Sequence, residues 1–155
     1  MKTLKALFEG VGLRDVTTYV QSGNVVFTAA TAPEAADLEA AIAGEFGIDV
    51  TVILRTAGEL AAVLGANPFL GGGAERSKLH VTFLAGAPAP GALDSLDAAR
   101  YPPDEFRLLG REVYLHTPGG YGRSKLGNDF FERKTGLRAT TRNWNTVTRL
   151  VELSA

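Results

Sequence analysis

The chain has 155 residues, 45% of them hydrophobic and 21% charged, with a net charge of −1 and no cysteine. Such values suit a soluble globular protein of one domain or two small halves, and they exclude disulfides and thiolate metal sites. They give no reason to expect whole-molecule attraction to nucleic acid or membrane. With no apolar run near the roughly 20 residues of a spanning helix and no secretory cleavage pattern, a cytoplasmic location is expected.

Leu4, Leu7 and Phe8 recur at helical spacing until Gly10 and Gly12. Val16 to Gln21 reads as a strand, Ser22-Gly23-Asn24 as a turn, and Val25 to Phe27 as the returning strand. Thr31 with Glu34 predicts a capping box, followed by a helix with the stripe Leu38, Ile42, Phe46 and a stop at Gly47. Ile48 to Leu54 is β-branched and apolar and predicts a strand. Thr56 with Glu59 predicts a second box, and the helix with Leu60, Val63 and Leu64 breaks at Asn67-Pro68. Gly71 to Gly73 mark a linker.

Beyond it, Leu79 to Leu84 predicts a strand, and Leu93 and Leu96 a short helix. Phe106 to Leu109 and Glu112 to Leu115 predict a hairpin, with Gly110 suited to the first position of a type II′ turn. The loop Gly119-Gly120-Tyr121-Gly122 leads to Ser124 as N-cap of a helix burying Leu126 and Phe130 and ending at Gly136. Thr140-Thr141 is extended, and Trp144, Val147 and Val151 mark a last helix.

The later elements run β-α-β-β-α-β plus a helix, the ferredoxin-like order. The earlier ones match it if a strand is added before Leu4. The expected fold is therefore α+β, two ferredoxin-like (βαββαβ) halves over residues 1–70 and 78–155, forming one compact unit, with the first half lacking its first strand. That strand belongs in the middle of a sheet. Its absence leaves ladder edges open, and an open edge invites a homodimer.

Two blocks, Thr18-Tyr19-Val20-Gln21-Ser22-Gly23-Asn24-Val25-Val26-Phe27 and Ser124-Lys125-Leu126 with Ala139-Thr140-Thr141-Arg142-Asn143-Trp144-Asn145-Thr146-Val147, resemble a mainly bacterial family, domain of unknown function 1697. The resemblance implies paired ferredoxin-like halves. It also implies a strand and a glycine-rich turn ahead of the first helix, which this chain lacks. No catalytic residue comes with it.

Between Tyr121 and Arg149 stand seven Lys or Arg residues against Asp129 and Glu132, together with the only Trp. Two helix starts fall inside this cationic block, and amides at a helix start favour an anion. The candidate anion site comprises Arg123, Ser124, Lys125, Thr140, Thr141, Arg142 and Asn143. The simpler alternative makes Ser124 and Asn143 ordinary caps, Trp144 core and the charges a solvated face. His80 and His116 lie on strands that can bring them to one face, too few for a metal site. No motif calls for a cofactor. The aromatics Tyr19, Phe27, Phe83 and Tyr114 lack interleaved basic residues, so nucleic acid ranks last among partners. A binding module for a small anionic or phosphorylated ligand ranks first. An enzyme on such a ligand ranks second and needs Asp129, Glu132 or His116 near Arg142.

Overall fold

Thr3 opens the first helix: its hydroxyl accepts the Ala6 amide at 3.1 Å, and Leu4–Gly10 (α1) follows in the computed structural model. The structure describes residues 3–19, 23–70, 75–89, 104–121, 124 and 126–154. The expected helix at Leu93 and Leu96 and the glycine linker lie outside the described residues, as do Arg123 and Lys125. By contacts the chain divides into two compact units, Met1–Leu54 with Glu152–Ala155, and Arg55–Val151.

In the first unit Arg14–Tyr19 (β1) pairs antiparallel with Asn24–Thr28 (β2), and Ala35–Phe46 (α2) follows. Leu7 and Phe8 of α1, Leu13, Val16 of β1, and Leu38 and Ile42 of α2 form the core. Val25, Phe27, Val52 and Leu54 pack against it. Asp15 sits at φ 51°, where the β1–β2 register shifts, so β1 carries a bulge at its start.

Two expectations fail in this unit. The Thr31–Glu34 box does not form, because the helix starts after Glu34, which makes no side-chain cap bond. Pro33 explains this, since the residue before a proline is driven out of the helical region and Ala32 cannot be a first helical residue. The strand expected over Ile48–Leu54 is also absent. A β-branched run becomes a strand only where a neighbour completes its ladder. Here the Val52 amide donates instead to Glu39 Oε2 of α2, at 2.7 Å.

In the second unit the Thr56 box forms in full. The Thr56 hydroxyl accepts the Glu59 amide, and the Glu59 carboxylate accepts the Thr56 amide. Ala57–Ala66 (α3) follows. Leu79–Leu84 (β3), Glu105–Leu109 (β4), Glu112–His116 (β5) and Ala139–Asn143 (β6) make an antiparallel sheet in the order β4-β5-β3-β6. That order and sense are compatible with a ferredoxin-like sheet. Gly110 turns the β4–β5 hairpin at φ 64°, the sign a type II′ turn needs.

Asn128–Thr135 (α4) starts three residues later than the spacing suggested, with Gly127 rather than Ser124 as N-cap. The later start rotates the helix. Phe131 becomes the fully buried residue and Phe130 is only partly buried. Phe131 joins Leu84, Phe106, Val113, Leu115 and Leu126 in one core, so α4 covers the sheet face that carries those strand residues. Gly136 ends α4 at φ 71°. Trp144–Ser154 (α5) follows β6 directly, with Trp144, Val147 and Leu150 buried. The protein is thus α+β, with two antiparallel sheets among the described residues. Among the described residues no helix is long and apolar enough to cross a membrane.

Candidate functional site

Side chains alternate across a strand, so the register assigns each site residue to a sheet face. Arg142 stands opposite Val81 and Thr140 opposite Phe83, which puts both on the face of Leu79, Val81, Phe83 and Tyr114. Thr141 stands opposite Thr82, on the face covered by α4. The sheet therefore separates the candidate residues into two groups.

On the first face, Arg142 donates from Nη1 to the Thr140 hydroxyl and to the Thr141 carbonyl, the latter at 3.0 Å. It is half-buried, and desolvation lowers its pKa, so its charge sits in a poorer environment than water. Asn143 begins α5 as its cap: its Oδ1 accepts the Thr146 amide at 2.8 Å. The capping role that the sequence offered Asn143 is realised.

On the second face, the Thr141 hydroxyl donates to Asn128 Oδ1 at 3.0 Å. Its one proton being used there, the 2.8 Å contact between the two threonine hydroxyls makes Thr82 the donor. Asn128 also donates from Nδ2 to the Ala139 carbonyl, and its backbone amide donates to the Tyr121 hydroxyl. Ser124 Oγ donates to Asp104 Oδ2 at 2.7 Å and accepts the Leu126 amide. Its proton is spent on a carboxylate, and that carboxylate repels an incoming anion.

The two histidines do not meet. His116 pairs with Leu79 and His80 with Leu115, so they point to opposite faces. His80 stacks on Tyr121 with ring centroids 4.5 Å apart. Burial lowers its pKa, and its Nδ1 is buried without a hydrogen-bond partner. His116 lies 3.5 Å from Glu105 and against the Phe69 ring. Burial first, and the Glu112 charge second, push the Tyr114 phenol up to about 12.

The acid–base candidates are also dispersed. Glu132 Oε2 accepts the Ala139 amide at 2.9 Å. Asp129 and Glu132 belong to α4, on the face opposite Arg142, and they line an open depression with Arg133, Gly136, Leu137 and Arg138. Proton transfer needs groups within hydrogen-bond reach of one reacting atom, and neither of these two carboxylates shares a sheet face with Arg142, whereas His116 does by register.

One cluster escaped the sequence. Arg55, with a side chain only 6% exposed, donates to Glu112 Oε2 at 2.8 Å and to the carbonyls of Leu84 and Arg111. Its guanidinium also lies 5.5 Å from the Phe83 ring. Arg111 pairs with Glu59, so the hairpin turn is tied twice to the start of α3. The box at Thr56 was the only sequence signal here, because the partners are far apart in the chain, 57 residues for Arg55 with Glu112 and 52 for Arg111 with Glu59.

Among solved structures, a conserved bacterial protein from Streptococcus pneumoniae resembles the chain with a TM-score of 0.73 at 15% identity, over 98% of this chain and 87% of that one. At that identity the likeness speaks for the fold alone. No curated protein matches. The family described as "Protein of unknown function (DUF1697)" matches residues 1–114, a stretch that ends before the Tyr121–Arg149 block. On that match, which spans well over half its length, the chain belongs to the DUF1697 family.

Proposed function

We propose that the protein is a noncatalytic binding module for a small anionic or phosphorylated ligand, with Arg142 as the group that meets the anion. The observation that supports it is the half-buried, desolvated guanidinium of Arg142 on β6, one residue from the capped start of α5. An anion there would meet a fixed positive charge, and the positive end of the helix dipole adds to the attraction. Thr140, bonded to Arg142, is the hydroxyl best placed to join it. Ser124 is turned to Asp104 and Thr141 to Asn128, so both serve the protein's own bonding. The dispersed carboxylates favour binding over catalysis. The lack of cysteine supports a cytoplasmic setting, and the sheet order supports reading the second unit as ferredoxin-like.

Titration calorimetry with inorganic phosphate and a panel of nucleotides tests this. Arg142→Ala is expected to weaken binding roughly ten- to a hundredfold, the worth of one charge-assisted hydrogen bond. Absence of heat with every ligand, or equal affinity in the variant, would sink the proposal.

A further inference from the structure

His80 reaches the start of α4 through one residue, Tyr121. Its imidazole stands on the sheet face that α4 covers and stacks on the Tyr121 phenol, the two planes 22° apart. Tyr121 packs against the core that Phe131 of α4 enters, and its hydroxyl accepts the Asn128 amide at 3.0 Å. Asn128 is the first residue of α4 and braces β6. Its side chain donates to the Ala139 carbonyl and accepts the Thr141 hydroxyl.

The charge state of His80 decides whether this chain of contacts holds. Its Nδ1 is buried with no hydrogen-bond partner among the described residues. The neutral ring tolerates that by carrying its proton on Nε2, leaving a bare lone pair at Nδ1. Imidazolium carries N–H on both nitrogens, so one of them would be a charged, buried donor without an acceptor. That penalty outweighs the attraction of a cation for the phenol face. The surroundings offer no counter-charge. Across the ladder stand Leu115 of β5 and Asn143 of β6, neither titratable. Beside them His116, with Glu105, and Arg142 point to the opposite face. Lys78, just ahead of β3, is itself a cation, and Asp104 is bonded to the Ser124 hydroxyl. The α4 carboxylates Asp129 and Glu132 line the depression shared with Arg133 and Arg138. Burial alone accordingly lowers the His80 pKa.

We propose that His80 is an acid-sensitive latch on α4: a proton drives the imidazole off Tyr121, and the loosened Tyr121 releases the Asn128 amide at the helix start. The latch is closed above the ordinary histidine value of 6.5. Below it the open form takes up a proton that the closed form refuses, so opening rises as pH falls toward the closed-state value. One proton per opening raises the opening equilibrium up to tenfold per pH unit over that range. The latch is independent of the anion reading, because Arg142 and Thr140 lie on the other face of the sheet.

Amide hydrogen exchange of the full chain, read residue by residue by NMR at stepped pH, is the test. Rates are first corrected for the pH dependence of the chemical exchange step. Asn128 is expected to open more often than Val81 and Val113, which lie mid-sheet and report global unfolding. Its opening is expected to rise up to tenfold per pH unit below 6.5. In His80→Phe, which keeps a ring on Tyr121, the rise is expected to vanish while the helix start stays protected. His80→Gln, which also cannot titrate there, replaces that variant if it does not fold. Opening at Asn128 that ignores pH overturns the latch. So does opening no more frequent than at Val81 and Val113, since the helix start then moves only with the whole fold. A pH slope that survives the substitution overturns it as well, because another group then takes up the proton.

Discussion

Arg55 and Glu112 form a buried ion pair whose side chains are 6% and 17% exposed, and such pairs are costly to break from one side. Glu112→Ala leaves a guanidinium buried against Phe83, and unfolding by urea is expected to register a loss of roughly 3–5 kcal/mol in the second unit. His80 supplies a pH test. Desolvation lowers its folded pKa, so below the ordinary histidine value the unfolded chain takes a proton that the folded chain refuses. Stability is full above that value and falls as pH drops through the window between it and the folded one. His80→Phe keeps the stack on Tyr121, and its urea midpoint is expected to be flatter across that window than the wild type's. Legibility at this scale followed chain distance. Asn143 could be recognised as a cap because its acceptor bond reaches only three residues on. The roles of Arg55 and Ser124 could not be read, because Glu112 and Asp104 approach them only after the sheet forms.

Elements were legible where their stabilising contacts are local. The Thr56–Glu59 box and the Gly136 stop both formed, and each rests on residues within one turn. Glu59→Gln tests the box. Hydrogen bonding from the Thr56 amide is the largest cause of the low Glu59 pKa, so the box stabilises above the ordinary carboxyl value and weakens as pH falls through the folded one. The variant is expected to lose the part of the acid-side slope that wild type shows there, read by melting at stepped pH. Gly136→Ala forces an L-residue into φ 71° and is expected to cost roughly 1 kcal/mol by the same melting assay. The Ile48–Leu54 segment shows the opposite case. Its β-branched sequence has strand character, but strand formation depends on a neighbour that periodicity does not report. The shift from Phe130 to Phe131 has a similar origin, since a helix face depends on where the helix begins.

Across the whole molecule the two units differ in how their sheets are closed. Two strands alone are marginal, whereas β3 and β5 are each paired on both sides. Native-state hydrogen exchange is expected to find the slowest amides in Val81 to Phe83 and Val113 to Leu115, and faster ones along Val25 to Thr28. The overall α+β class was legible from element order, because the order of strands and helices limits how layers can stack. The function was less so, since among the described candidate residues the sheet puts Thr141 on one face and only Arg142 with Thr140 together on the other. That pair carries the account, and backbone amide NMR during titration with inorganic phosphate tests it most directly. Saturable shifts confined to Thr140 through Thr146, lost in Arg142→Ala, are the predicted result. Shifts that do not saturate, or that survive the substitution, would contradict it.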